Sequence, residues 1–203
     1  YALHSIPDLG ELVTLGFQAG NASLAARHAA DARASSAPEL VALALDLLNS
    51  PRAAPRLLWL HILDVHAPFV PHPGLERFGG DVRGRYAQEV AWVDAALRPL
   101  LERLDDSVVT VVFADHGEYL GERGKRGHDL TLYPEVLRVP LLIKGPGIPP
   151  GRRTEGVSLV DVLPTLLQAA GVQGVEARAG ISLLGPLPRR ARLAEGRRPG
   201  GRA

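Results

Sequence analysis

Cysteine is absent from the 203 residues, which excludes disulfides, zinc–thiolate centres and thiol nucleophiles. Methionine is absent too, and the opening "YALHSIPDLG" carries no signal-peptide pattern. That start reads as a fragment or a processed form. Charge of one sign is also missing. The 23 Lys and Arg against 22 Asp and Glu leave a formal net charge of +1. Such a balance predicts no general attraction to nucleic acid or to a membrane surface. No apolar run has the length of a membrane-spanning helix. Neither a Gly-rich phosphate loop nor a G-x-S-x-G nucleophile elbow occurs, and no internal repeat is visible. What is present is a hydrophobic share of 46% with 22% charged residues, enough for the packed core of one ordinary domain.

Strand and helix patterns alternate along the chain. "SAPELVALALDLLNS" predicts a helix capped by Ser36, with Pro38 in its first turn and a stripe of Leu40, Leu43, Leu47 and Leu48. An Ala-rich helix upstream, Ser23–Ser36, is weakened by its Ser and Asp content. "RLLWLHIL" (Arg56–Leu63) is a short apolar run that fits a strand buried on both faces. The prolines of "DVHAPFVPHPG" make the next segment a loop. Tyr86–Leu104 is amphipathic, with Pro99 predicting a kink or a late break. "SVVTVVFA" (Ser107–Ala114) is the strongest strand, and "VPLLIKGPGI" reads as another. Ser158–Val172 predicts a helix stopped by Gly171, with Pro164 in its first turn or at a kink. Strands alternating with helices imply an α/β fold with a mostly parallel sheet flanked by helices. Residues 1–187 form one domain on this reading. Residues 188–203 hold six arginines and little to bury, and read as a disordered tail.

Parallel α/β sheets bind ligands beyond the carboxyl ends of their strands. Two polar clusters fall there: Asp64-Val65-His66 after the first strand and Asp115-His116-Gly117-Glu118 after the next. Adjacent parallel strands would bring both into one cleft. Asp115 and His116 offer a carboxylate oxygen and an imidazole nitrogen, donors that a divalent metal takes. Gly117 lets the backbone turn beside them. Alternatively Asp115 caps a following helix and His116 is a satisfied surface histidine. His66 can donate to an anionic substrate or act as an acid, or bond to its own loop. His128 and Lys125, in "GKRGH", can bind an anionic oxygen or protonate a leaving group, or form an exposed basic loop. His61 reads as structural, and Arg138 as a partner of Glu135 or of an acid near the cleft. Asn21-Ala22-Ser23 matches a glycosylation acceptor, a pattern frequent by chance.

Four stretches taken together resemble the sulfatase family of the alkaline-phosphatase superfamily. They are "LWLHILDVHAPFVPHPG", "ADHGEYLGERG", "GHDLTLYPEVLRVPLLIKGPGI" and "LVDVLPTLLQAAGV", in the family's order and spacing over roughly Ser36 to Leu184. The resemblance implies an alkaline-phosphatase-like fold, incomplete at its N-terminus. It makes Asp115 a metal ligand and places His116 on the metal or by the substrate. It sets His66 against the ester's non-bridging oxygens and His128 near the leaving-group oxygen, with Arg138 bracing the site. One divalent ion is implied, calcium by resemblance, with manganese, magnesium or zinc as alternatives. The partner implied is a small anionic ester, not a nucleic acid. Relatives are often exported, and neither localisation nor oligomeric state is legible in this chain.

The family's nucleophile, a formylglycine made from the Cys or Ser of C/S-x-P-x-R, and its first pair of metal carboxylates are expected in a missing N-terminal part. Ser5-Ile6-Pro7-Asp8-Leu9 and Ser36-Ala37-Pro38-Glu39-Leu40 both carry Leu where the motif needs Arg, and both are rejected as nucleophiles. Pro134 stands where relatives usually carry an acid. The implied activity is that of a metal-dependent sulfuric ester hydrolase. A superfamily phosphodiesterase, phosphonate hydrolase or head-group phosphotransferase is the second reading, and a non-catalytic remnant or interaction module the third.

Overall fold

The computed structural model describes residues 2–4, 36–51, 55–72, 74–75, 78–128, 131–172 and 180–195. The Ala-rich run before Ser36, the Asn21 acceptor, the Ser5 motif and the arginines beyond 195 lie outside the described residues. The chain forms two compact units, Tyr1–Arg103 and Leu104–Ala203. No helix among the described residues is long and apolar enough to cross a membrane.

In the first unit, β1 (Ala2–His4) pairs in parallel with a later strand, β2 (Trp59–His61), with Ala2 opposite Trp59. Between them in sequence lies α1 (Ala37–Asn49), with Pro38 in its first turn as expected. The helix α1 packs against α2 (Val82–Arg103) and touches β1. Its predicted stripe is rotated. Ala37, Leu40, Val41 and Ala44 are buried, while Leu43 is 37% exposed. The buried face therefore combines two large apolar residues, Leu40 and Val41, with two small ones, Ala37 and Ala44. Arg56 donates to the carbonyls of Leu47, Ser50 and Pro51 and so closes the C-terminal end of α1.

Helix α2 starts four residues earlier than Tyr86. Asp81 accepts the N–H of Gly84 at 2.8 Å, an N-cap bond that sets the start. Gly84 is needed there, because a Cβ would stand 2.1 Å from the carbonyl oxygen of Phe78. The helix runs through Pro99 and ends at Arg103, which fits a late break.

The second unit opens with β3 (Thr110–Phe113). The hairpin β4 (Tyr119–Leu120) and β5 (Arg126–Gly127) follows, then the single turn α3 (Pro134–Leu137) and β6 (Leu141–Lys144). Strand β6 returns antiparallel to β3, with Val111 opposite Ile143 and Phe113 opposite Leu141. The expected mostly parallel sheet therefore appears only in β1–β2, and the other two pairs among the described residues are antiparallel. A parallel return from β3 needs a long crossover helix, and the four residues of α3 are too few to supply one. Burial on both faces, expected of Arg56–Leu63, also fails: Leu57 and Trp59 are 56% and 42% exposed.

The unit ends in a 3-10 turn (Leu159–Asp161) and α4 (Val162–Ala169). Pro164 falls in the first turn of α4. Gly171, at φ +69°, closes the helix as expected, with Val172 N–H bonding Leu167 and Gly171 N–H bonding Gln168. Asp161, fully buried, accepts the N–H of Ser158 at 2.8 Å and of Ile181 at 2.9 Å and pairs with Arg190. Thr165 donates to the Asp161 carbonyl and accepts Leu183 N–H. Together they fasten residues 180–184 and part of the Arg-rich segment onto α4.

Candidate active site

Strand β3 delivers Asp115 and His116 at its carboxyl end, as the sequence predicts. No helix follows them. Their neighbour is the β4–β5 hairpin, so Asp115 is not a helix cap. Its carboxylate is 70% exposed and accepts the His116 N–H at 2.9 Å. Gly117 serves close packing: a Cβ would lie 2.1 Å from the Glu135 carbonyl oxygen, and Gly117 N–H donates to Val136 at 2.7 Å. The hairpin is anchored by Tyr119, 1% exposed, whose hydroxyl meets that of Thr131 at 2.7 Å.

The register of the hairpin pairs Tyr119 with Gly127 and Leu120 with Arg126. One step further, Glu118 faces His128. His116 lies two residues before Glu118, the spacing that returns a side chain to the same face of extended backbone. The structure accordingly gathers His116, Glu118 and His128, with one donor atom of each within 4.8 Å of the others. The two imidazole centroids are 4.1 Å apart at 31°. His116 Nδ1 lies 3.0 Å from the Gly117 carbonyl oxygen. A carbonyl only accepts, so Nδ1 carries the proton and Nε2 of the neutral ring presents its lone pair. Asp115 Oδ1 is 3.8 Å from that Nε2. Asp115 and His116 therefore fit one edge of a divalent ion. A hard cation takes about six donors, and this pair supplies two.

The Lys125 ammonium lies over the Tyr119 ring, 6.0 Å from its centroid. Glu135 pairs with Arg123 at 3.2 Å, where Arg138 was expected, and Arg123 also covers the Tyr133 ring. The left-handed φ of +54° at Arg123 turns that side chain toward α3. Pro134 has the local effect expected of it, as the first residue of α3. Glu118 had no role assigned from the sequence. The H-x-E spacing was the available signal, but its partner His128 is set by the hairpin register.

His66 belongs to the first unit. Its Nδ1 is 2.6 Å from the Ala67 carbonyl oxygen, which again puts the proton on Nδ1. The Ala67–Pro68 bond is cis. The Pro-rich loop is held on α2 by several contacts. Phe69 meets Tyr86 edge to face at 5.4 Å, and His72 stacks on Trp92 at 4.5 Å. Glu89, 1% exposed, accepts Val70 N–H at 2.6 Å and bonds His72 Nε2 at 2.8 Å. Gln88 donates to the carbonyls of His72 and Leu75.

Asp64, from the same polar cluster, has a structural task. Its carboxylate accepts the N–H groups of Ser36 and Ala37 and the Ser36 hydroxyl, so it caps α1 from 28 residues away. Ser36 begins the helix as expected, but its own side chain does not cap it. Buried and donating to Asp64, it has no nucleophile's geometry.

The strand end that carries Asp115 and His116 beside His128 lies inside the stretch that one protein family matches. The family model named Sulfatase matches residues 15–172, and the chain belongs to the sulfatase family. It is 34% identical over 134 residues to arylsulfatase K of Xenopus laevis, covering 62% of this chain and 25% of that protein. It is 34% identical over 110 residues to the choline-sulfatase of Rhizobium meliloti (strain 1021), covering 50% and 21%. The chain thus spans about a quarter or less of the length of these relatives. The crystal structure of Ps i-CgsB in complex with k-i-k-neocarrahexaose shares its fold. The TM-score is 0.57 at 24% identity, over 73% of this chain and 36% of that one.

Proposed function

We propose that this chain is part of a metal-dependent sulfuric ester hydrolase acting on a small anionic sulfate ester. The observation that carries this is the end of β3 in a sulfatase-family chain. There Asp115 and an Nδ1-protonated His116 stand beside His128. Asp115 and His116 would hold the ion, with the remaining donors and the formylglycine nucleophile supplied by residues outside this chain. A divalent ion, calcium by family resemblance, would supply neutralisation of the ester's negative oxygens.

The chain's own residues do the rest. Glu89, His72 and the Phe69–Tyr86 contact fix the loop that carries His66. Its Nε2, protonated, donates to a non-bridging ester oxygen and stabilises the charge that grows there. His128, at the mouth of the hairpin, gives its proton to the departing alcohol oxygen.

The test is hydrolysis of a chromogenic aryl sulfate by the longer protein to which this chain is proposed to belong. His66→Ala and His128→Ala should each lower turnover by about 10²–10⁴-fold. Near-normal turnover in both would remove the site assignment. The 203-residue chain alone should show no turnover, and metal-dependent hydrolysis by it would refute the division of the site. A second reading, hydrolysis or transfer of phosphate esters or phosphonates, is favoured by the imidazole at position 116, a donor that suits manganese or zinc better than calcium. Higher kcat/KM on a phosphodiester than on the matching sulfate ester would select it.

A further inference from the structure

We infer that His116, Glu118 and His128 form a binding site for a borderline transition-metal ion of the Zn2+ type, sharing only His116 with the Asp115–His116 edge. Two imidazoles and one carboxylate are the donor set such ions prefer, whereas calcium and magnesium take oxygen.

The site is built by the fold in two independent ways. Hairpin register places Glu118 opposite His128, and strand alternation returns His116 to their side. The donors already lie within 4.8 Å of one another. Bonds of about 2.0–2.2 Å need donors about 3.3–3.6 Å apart, a contraction within reach of side-chain rotation. The Gly117 carbonyl, 3.0 Å from His116 Nδ1, is the outer partner that metal-bound histidines have. It fixes the proton on Nδ1 and leaves Nε2 as the ring's electron-pair donor. Buried Tyr119, on β4 directly after Glu118, anchors the hairpin through the Thr131 hydroxyl.

The two ion positions share His116, so occupation of one excludes the other. An ion on His128 would also take the lone pair that must carry the leaving-group proton. That consequence rests on the proposed function; the binding itself does not.

The test uses the purified, metal-free chain and Zn2+ alone, with no substrate. Calorimetry should show one Zn2+ per chain, and the ring signals of His116 and His128 should shift together in NMR. Glu118→Gln and His128→Asn should each weaken Zn2+ about tenfold or more, since even losing an outer partner has that effect. Asp106→Asn, at an exposed carboxylate paired with Lys144, should leave Zn2+ affinity within about threefold, a change too small for the loss of a direct ligand. Thermal melts of each variant, matching the parent chain, tie any lost binding to the ligands and not to unfolding. Absence of Zn2+ uptake, unchanged affinity in Glu118→Gln and His128→Asn, or loss of binding in Asp106→Asn would each overturn the inference. Because no turnover is read, failure here leaves the hydrolase proposal standing, and failure of that proposal leaves this one standing.

Discussion

Replacing Asp64 by alanine removes one acceptor from three donors at once. Ser36 N–H lies 3.0 Å from the carboxylate, Ala37 N–H 3.1 Å and the Ser36 hydroxyl 2.7 Å. Ser36 is 1% exposed, Ala37 0% and Asp64 8%, so water cannot readily replace the lost oxygens. The hydroxyl can rotate to another partner. The two amides cannot turn without unwinding the first turn of α1. Each buried donor left unmatched costs about 1–3 kcal/mol, and losing an N-cap typically costs about 0.5–2 kcal/mol. A loss of about 2–5 kcal/mol is expected for Asp64→Ala. Asp64→Asn keeps one acceptor oxygen and should lose about half as much. Urea unfolding followed by far-UV circular dichroism measures both, provided the slope with denaturant stays constant. A loss under about 0.5 kcal/mol for the alanine variant would refute the capping account. So would equal losses for alanine and asparagine.

Glu89→Ala should destabilise the chain by about 3 kcal/mol, because it strands Val70 N–H and His72 inside the loop brace. Faster limited proteolysis within residues 64–75 is the second readout, and unchanged cleavage would count against the brace. Asp161 gives a pH prediction. Burial pushes its carboxyl up, but the N–H groups of Ile181 and Ser158 and the Arg190 guanidinium outweigh this and hold it below the usual carboxylate range. A carboxyl depressed by folding contributes stability that is complete above the unfolded value of about 4 and lost as pH falls through the lower folded value. Asp161→Asn should therefore be less stable than the parent at pH 7, with the gap closing below about pH 4. A gap that stays constant from pH 7 to pH 2 would contradict the account.

Local patterns carried much of the architecture. Pro38, Pro164 and Gly171 marked helix starts and a stop because their backbone preferences act without tertiary help. The strand at Thr110–Phe113 was legible for the same reason, and it fixed where Asp115 and His116 emerge. Of the α1 stripe, Leu40 is buried and Leu47 and Leu48 half-buried, but Leu43 is exposed and Ala37, Val41 and Ala44 complete the buried face. The antiparallel pairing of β3 with β6 was not legible, because pairing direction depends on the path of the connection, which composition does not record.

The family motifs, the Asp-His pair and the absence of a C/S-x-P-x-R nucleophile follow from the order of residues alone. Tertiary structure decided which polar groups carry the fold. It made Asp64 the cap of a helix 28 positions away and paired Glu135 with Arg123. It also brought Glu118 and His128 to His116 through a hairpin register. Hydrogen bonds and metal donors depend on distances of a few ångströms, and those are set by where the chain returns, not by spacing along it.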